Sequence, residues 1–159
     1  MRDIQTLGLN NDGESLRKFS RSLPMALLRA REVVMERFRP NLRENSLTDQ
    51  QWRVLRALFE YGKRDLGELS KICCLLKPSI TRIIRSMEKR AFVKKRIDLS
   101  DHRRTIVSIT DMGRDLIYKV GPNSEAIYQD IAVVLGSDEL DDLYTKLDTL
   151  IEKLDNNYN

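Results

Sequence analysis

Residues 66–110 read LGELSKICCLLKPSITRIIRSMEKRAFVKKRIDLSDHRRTIVSIT. The spacing of apolar residues predicts two short amphipathic helices, and the alternating residues after them predict a basic two-stranded hairpin. The hairpin ends in a charged tip at Ser100–Arg104. Two helices joined by a tight turn and followed by such a hairpin have the layout of a winged helix-turn-helix. The expected fold class is therefore mainly α, with a small β component.

The first of these helices is predicted to begin after Asp65. Its carboxylate can cap the backbone of Glu68, and Glu68 stands three residues on, as a capping box requires. Helical spacing then predicts that Leu66, Leu69 and Ile72 form the buried side.

The second helix is predicted to begin at Pro78, because proline is tolerated only in the first turn of a helix. Its apolar residues fall on one face, which we expect to be buried: Ile80, Ile83, Ile84 and Met87. Short hydroxyls and cations occupy the other face: Ser79, Thr81, Arg82, Arg85 and Lys89. Such groups can reach guanine edges and phosphates in the major groove of DNA. An ordinary solvent-exposed helix face would also carry Arg and Lys.

The hairpin favours the DNA interpretation over the ordinary exposed face. Arg103 stands at its tip, beside the second helix, and is well placed to enter the adjacent minor groove. The candidate DNA-contacting residues are Lys77, Pro78, Ser79, Thr81, Arg82, Arg85, Lys89, Lys95, His102, Arg103 and Arg104.

The charge distribution agrees with that surface. Residues 62–110 carry 13 Lys and Arg against 5 Asp and Glu, whereas residues 111–159 carry 4 against 11. The overall charge of +4 thus conceals a basic middle and an acidic C-terminal third. Lys and Arg that neutralise phosphates supply most of the sequence-independent affinity for DNA. A solvated charged surface would explain the asymmetry without DNA.

The remaining chain divides into a flexible N-terminal arm over residues 1–21, a helix within 22–46, the winged module over 47–110 and C-terminal helices over 111–156. The first helix is expected to bend or end at Pro40. Thr48 is predicted to cap the next helix in a capping box with Gln51, and Gly62 to stop it. Ser137 is the predicted N-cap of the last helix.

The helices outside the winged module carry long apolar stripes. In the C-terminal third these are Leu116, Ile117, Val120, Ile127, Ile131, Val134, Leu140, Leu143, Leu147, Leu150, Ile151 and Leu154. Together with the first helix they exceed what the winged module can cover, so we expect two chains to pair through N- and C-terminal dimerisation helices. The alternative is a monomer whose helices fold back on its own module.

Several protein classes are disfavoured. No apolar run is long enough to span a bilayer and the N-terminus lacks a signal-peptide pattern, so we expect a cytoplasmic protein that does not bind membranes. The cysteines Cys73 and Cys74 are adjacent and cannot form an unstrained bridge. We expect reduced thiols, no metal and no cofactor. A single histidine and the absence of a glycine-rich phosphate loop or nucleophile elbow argue against an enzyme.

The chain resembles the MarR family of transcriptional regulators. The residues that carry the resemblance are Leu47, Thr48, Gln51 and Trp52, Leu66 and Leu69, Pro78, Ser79 and Thr81–Ile84, and then Asp98, Asp101, Arg103, Arg104, Ile109, Thr110 and Gly113. A second set is similar in particular to repressors of aromatic-acid catabolism within that family: Leu28, Ala30–Glu32, Phe38–Pro40, Asp49–Arg53, Cys74, Leu76, Pro78 and Ser79. The resemblance covers about residues 22–156.

The resemblance implies a two-fold symmetric dimer that binds a pseudo-palindromic operator in double-stranded DNA. A small phenolic or aromatic carboxylic acid would weaken that binding. Three departures from the family pattern stand out. Ala91 replaces the glycine after the recognition helix, Leu76 offers no capping hydroxyl, and Gly121-Pro122 should kink or break the long helix after the wing.

The effector site is predicted on the first helix. Arg31 lies in its apolar stripe, where a guanidinium needs an anionic or strongly hydrogen-bonding partner, and a ligand carboxylate would serve. Arg29 lies on a more polar side. Met35, Phe38 and Trp52 are the candidate apolar or aromatic walls. Alternatively, Arg31 pairs with a carboxylate of the partner subunit and Trp52 belongs to the core.

Two other functions remain open. Cys73 or Cys74, in the turn before the recognition helix, could sense oxidants, although they stand where small buried residues normally pack. A winged module can also serve protein-protein contact without DNA.

Overall fold

The computed structural model of the chain describes residues 7–9 and 15–155. The chain forms two compact units, residues 1–40 and 41–159. In the first unit, β1 (Leu7–Leu9) pairs antiparallel with β2 (Ser15–Arg17), and a 3-10 turn at Phe19–Arg21 follows. The predicted flexible arm did not include these strands, because three residues are too few to show an alternating pattern. The rest of the arm lies outside the described residues.

The first helix, α1 (Leu23–Glu44), contains Pro40, so of the predicted bend or end at this residue the end is wrong. The last turn of α1 belongs to the second unit and is fixed there by tertiary contacts. Asn41 donates from Nδ2 to the carbonyl oxygen of Val120 at 3.2 Å, and Leu42 is fully buried. These contacts offset the hydrogen bond that the proline cannot make.

The second unit continues with six helices and strands before the C-terminal pair: α2 (Asp49–Tyr61), β3 (Arg64–Asp65), α3 (Leu66–Ile72), α4 (Lys77–Lys89), β4 (Val93–Ile97) and β5 (Thr105–Ile109). Two longer helices follow, α5 (Asp111–Leu135) and α6 (Ser137–Leu154). This order confirms the predicted mainly helical, winged helix-turn-helix class.

Both predicted capping boxes are present. Thr48 accepts from the backbone of Gln51 and Asp65 from that of Glu68, and in each case the later side chain accepts from the cap's own N–H. The predicted burial of α3 is partly wrong. Leu69 is buried, but Leu66 is only half-buried and Ile72 is exposed. A helix of only seven residues presents too little length to bury a position in each turn.

The sheet has the strand order β3-β5-β4, with antiparallel neighbours. The sequence did not predict β3, since a two-residue strand has no visible period. Val93, Val107 and Ile109 are buried on one face of the sheet. Together with the apolar residues of α2 and α4 they form a core that lies directly beneath α4 and holds the winged module rigid.

Of the two outcomes predicted at Gly121-Pro122, a kink or a break, the break is wrong, because α5 runs through both residues. A buried polar cluster holds the helix on either side of them. The Ser124 hydroxyl donates to the carbonyl oxygen of Val120 at 3.2 Å, and Asn41 donates to the same oxygen and to Ser124 Oγ.

The predicted N-cap of the last helix is also displaced by one residue. The cap position is Gly136, with φ of 96°, and Ser137 is the first helical residue. The Ser137 side chain makes no capping bond. No residue of α6 is buried within the chain.

Candidate nucleic-acid interface

The turn between α3 and α4 sets the position of α4. Cys74 has a left-handed backbone with φ of 48°, which reverses the chain after α3. Ser70 Oγ donates to the carbonyl oxygen of Leu75 at 2.5 Å, and Arg53 Nη1 donates to that of Cys73 at 2.7 Å. These bonds tie the turn to α3 and to α2, so α4 is fixed where it begins.

Helix α4 begins at Lys77, one residue before the predicted start, and ends at Lys89. Leu76 is the N-cap and makes no side-chain capping bond, and Pro78 lies in the first turn. At the other end, Ala91 is left-handed with φ of 57°, and Phe92 N donates to the carbonyl oxygen of Met87 at 3.0 Å. Ala91 therefore occupies a C-terminal capping position that favours glycine.

The two faces of α4 are those predicted from the sequence. Ile80, Ile83, Ile84 and Met87 are buried. The opposite face exposes Thr81, Arg82, Arg85 and Lys89, with Lys77 and Pro78 exposed in the first turn and Ser79 half-buried. The Thr81 hydroxyl donates to the carbonyl oxygen of Lys77 within the helix. The exposed face is thus a row of mostly polar side chains on a helix whose opposite face packs into the core.

Four cations of this face lack a counter-ion within the part of the chain that the structure describes: Lys77, Arg82, Arg85 and Lys89. An arginine without an intramolecular carboxylate needs no bond broken before it meets a phosphate or a guanine. Helix α4 is therefore ready to contact an anionic partner.

Two turns hold the wing tip. In each, an aspartate side chain accepts a hydrogen bond from the backbone N–H two residues later. Asp98 Oδ1 accepts from the backbone N–H of Ser100 at 2.8 Å and from its hydroxyl at 2.6 Å. These bonds, the hydroxyl first, hold the pKa of Asp98 below its usual value. Asp101 Oδ1 likewise accepts from the N–H of Arg103 at 3.1 Å. The tip has a defined shape.

The tip residues His102 and Arg103 are exposed, and the Arg103 side chain is 91% accessible. Its Nε lies 3.2 Å from Asp101 Oδ1, a surface contact that contributes little to holding it. Arg103 can therefore extend into a groove.

Lys95 and Arg104, both predicted to contact DNA, have partners that the sequence did not reveal. Lys95 Nζ lies 2.8 Å from Glu88 Oε2 on α4. Arg104 donates from Nε to Asp65 Oδ2 at 2.9 Å, and its guanidinium lies 3.7 Å from Glu68 Oε2. The two cations tie the wing to α4 and to α3.

The predicted effector residues lie on both sides of the unit boundary. Arg31, Met35 and Phe38 belong to α1 in the first unit, and Trp52 to α2 in the second. Phe38 is buried, Met35 and Trp52 are half-buried, and Arg31 is exposed.

Arg31 has a carboxylate partner on its own helix. Its Nη1 lies 2.6 Å from Glu32 Oε1, and Arg39 Nη2 lies 2.5 Å from Glu32 Oε2. The Arg39 hydrogen bond, with the charges of Arg39 and Arg31, holds the pKa of Glu32 below its usual value. An open groove of about 460 Å³ on α1 is lined by Arg29, Ala30 and Val33 among others.

The cysteines differ in exposure. Cys73 is buried, and this burial raises the pKa of its thiol against the lowering effect of Arg53. Cys74 is exposed. A raised pKa leaves less of the reactive thiolate, so the surroundings of Cys73 give no support to redox sensing.

The sequence did not single out three cations on the β3 side of the sheet: Lys63, Arg64 and Arg96. They line a cleft beside the wing. The sequence could not place Lys63 and Arg64 next to the hairpin, because β3 has only two residues and shows no strand pattern.

Within residues 7–9 and 15–155, every helix is too short or too polar to cross a lipid bilayer. Among the same residues, no three His, Cys, Asp or Glu side chains are grouped closely enough to hold a metal ion.

Comparison with known proteins agrees with this geometry. The sequence model of the protein family described as MarR family matches residues 47–105 of this chain. The homoprotocatechuate degradative operon repressor of Escherichia coli is 34% identical over 130 residues, which cover 82% of this chain and 88% of that protein. These matches confirm the predicted resemblance to the family and to a repressor of aromatic-compound degradation.

Two solved structures share the fold. NadR in complex with 4-hydroxyphenylacetate has a TM-score of 0.74 and 34% identity, and the match covers 86% of this chain and 97% of NadR. The transcriptional repressor CouR, bound to a 23-mer DNA duplex, has a TM-score of 0.74 and 26% identity, with 86% of this chain and 99% of CouR covered.

Proposed function

Because this chain belongs to the MarR family of transcriptional regulators, we propose that it is a sequence-specific repressor that binds a pseudo-palindromic operator as a homodimer and releases it when a small phenolic acid binds. The single observation that carries the DNA part is the exposed face of α4, whose four cations form no ion pair in the described residues.

Helix α4 enters the major groove in this proposal. Arg82 and Arg85 can each bond to the two acceptors of a guanine edge, while Lys77 and Lys89 neutralise phosphates. Arg103 enters the neighbouring minor groove from the wing tip. CouR, which shares the fold, has been solved on a DNA duplex, and this supports the same use of the module here.

The C-terminal helices support the dimer. Helix α6 buries no residue within one chain, although it carries an apolar stripe. Large apolar side chains are exposed on both C-terminal helices: Val133, Val134, Leu135, Leu143, Ile151 and Leu154. Val133 alone is 83% accessible. A monomer seldom leaves so many large apolar side chains in water, so in this proposal a second copy of the chain covers them.

The effector class follows from two relatives. One is named for the degradation of homoprotocatechuate, and NadR was solved with 4-hydroxyphenylacetate. In this chain Arg31 is the proposed carboxylate clamp, with Met35 and Phe38 of the same unit as walls. Because Arg31 already pairs with Glu32, an incoming carboxylate would compete with Glu32 for the guanidinium. The effector acts by favouring a dimer whose two α4 helices no longer match the half-sites.

A competition experiment tests this function. A duplex operator is first selected from a random pool with the purified protein, and its binding is followed by fluorescence anisotropy. Adding 4-hydroxyphenylacetate should release the duplex. Adding 4-hydroxyphenylethanol, which has the same ring but no carboxylate, should not. Continued binding at saturating 4-hydroxyphenylacetate would remove the phenolic-acid part of the proposal.

A further inference from the structure

The sheet of the wing has an outer face that points away from the core. Asp65 and Arg96 both pair with Ile106, so these three residues form one row across the sheet. Paired residues on adjacent strands direct their side chains to the same face. Val107, the next residue of β5, is fully buried on the opposite face. Arg96 therefore lies on the outer face.

A cleft of about 310 Å³ lies on this side of the wing and is called here the wing cleft. Its charged lining residues are four cations and two carboxylates: Lys63, Arg64, Arg96, Arg104, Glu68 and Asp98. The cleft is thus basic, and it lies within the most basic third of the chain.

The carboxylates of the wing cleft are already engaged, while two of its four cations are not. Glu68 accepts from the N–H of Asp65 in the α3 capping box, and Asp98 accepts twice from Ser100. Arg104 is bonded to Asp65. Within the described residues, no carboxylate pairs with the remaining cations of the cleft: Lys63, Arg64 and Arg96. Arg64 Nη1 donates to the carbonyl oxygen of Lys63 at 2.8 Å, so an anion that enters the cleft meets two cations, Lys63 and Arg96, with no bond to break.

The position of the cleft relative to α4 identifies the anion. Lys95 reaches Glu88 of α4 from the inner face of the sheet, so Arg96 on the outer face lies on the side of the wing away from α4. Arg64 pairs with Val107, as Lys95 does, and lies at the edge of the cleft. In the proposed binding mode, a duplex held by α4 and by Arg103 at the tip runs on past the outer side of the wing. The phosphates of that continuing stretch are the anions nearest the cleft.

We propose that the wing cleft binds the phosphate backbone of DNA that flanks the operator, through Lys63 and Arg96. This inference rests on the proposed function. The contact adds affinity without reading sequence, because phosphates carry no base information. It also makes binding depend on the length of the duplex beyond the half-sites.

The test compares two duplexes: the selected operator trimmed to its half-sites, and the same operator extended at each end by about ten base pairs, one helical turn. Affinity is measured across a range of salt concentrations. One added phosphate contact per wing in a dimer should steepen the salt dependence of log K by about 2 on the longer duplex. The variant Lys63→Gln/Arg96→Gln should show the same slope on both duplexes and bind the short one within about twofold of wild type.

A charge-matched variant, Arg114→Gln/Lys119→Gln on α5, controls for the loss of two positive charges and should keep the wild-type length effect. Equal melting temperatures of the variants and the wild type establish that each is folded. A variant at Lys63 and Arg96 that keeps the length effect, or a wild type that shows none, overturns the inference. Failure of the proposed function has a different signature, since the short duplex would not be bound either.

Discussion

Arg104 at the end of the wing is bonded to Asp65 at the start of α3, with Arg104 Nε 2.9 Å from Asp65 Oδ2. The other oxygen of the same carboxylate, Oδ1, accepts from the backbone N–H of Glu68 at 2.8 Å and so caps α3. One carboxylate therefore joins the DNA-reading wing to the helix-turn-helix.

Substitution at Asp65 can separate these two roles. Asparagine caps a helix as well as aspartate does, so Asp65→Asn should lose only the pairing with Arg104. Asp65→Ala loses the cap as well and should lower the free energy of unfolding by about 1 kcal/mol more than Asp65→Asn does. Urea denaturation of both variants measures the difference. Equal stabilities of the two variants would show that the cap contributes nothing.

The same variants predict a pH effect. The α3 cap bond from Glu68, followed by Arg104, holds the pKa of Asp65 below its usual 3.8. A carboxyl with a depressed folded-state pKa stabilises the fold above its unfolded pKa, and this stabilisation is lost as pH falls through the folded value. The stability advantage of wild type over Asp65→Asn should therefore persist at neutral pH and shrink below about pH 4. If wild type keeps the same stability advantage over Asp65→Asn at acid pH, the depressed pKa of Asp65 is not its cause.

Ala91 offers a second stability prediction. A residue with a Cβ is strained in the left-handed conformation that Ala91 adopts, with φ of 57°. Ala91→Gly should therefore raise the free energy of unfolding by about 0.5–1 kcal/mol. The control is Ala126→Gly, at an exposed position inside α5, which should lower it by a similar amount. A loss of stability at both positions would mean that the left-handed backbone at Ala91 carries no strain.

The effector clamp predicts a difference between two arginines of α1. Saturating 4-hydroxyphenylacetate should raise the melting temperature of the wild-type protein, because it binds the folded state. Arg31→Ala should weaken this binding by roughly tenfold or more, the scale of a lost charge-assisted hydrogen bond. The matched control, Arg29→Ala, should respond as wild type. An undiminished response of Arg31→Ala would remove Arg31 as the carboxylate clamp.

Local pattern was sufficient for much of the fold. The Thr48 and Asp65 capping boxes depend on residues three positions apart, and the buried face of α4 depends on helical spacing, so both could be predicted from sequence. The continuity of α1 through Pro40 could not. It depends on the bond from Asn41 to Val120, two residues far apart in the chain.

The candidate site shows the same limit. The helical spacing of apolar residues in α4 predicts which of its cations are exposed. The partners of Lys95 and Arg104 do not, because Asp65 and Arg104 are 39 residues apart and meet only when β3 joins the sheet. The wing cleft was missed for the same reason. Tertiary pairing decides which cations are available to DNA.

The thiol alternative makes its own prediction. Since burial raises the pKa of Cys73, hydrogen peroxide should leave operator binding unchanged, within about twofold, in wild type. The doubly substituted Cys73→Ser/Cys74→Ser protein should behave identically before and after treatment. Peroxide that abolishes binding by wild type but not by the serine variant would restore redox sensing as the function.

The most direct test of the central claim is the affinity of the selected operator for Arg82→Gln/Arg85→Gln, measured by fluorescence anisotropy beside wild type. If α4 reads the major groove, the loss of two guanine or phosphate contacts should weaken binding by at least about tenfold. Arg114→Gln, an exposed cation on α5, should bind within about twofold of wild type as the control. Wild-type affinity in the α4 variant, or a wild-type protein that selects no duplex, would contradict the account.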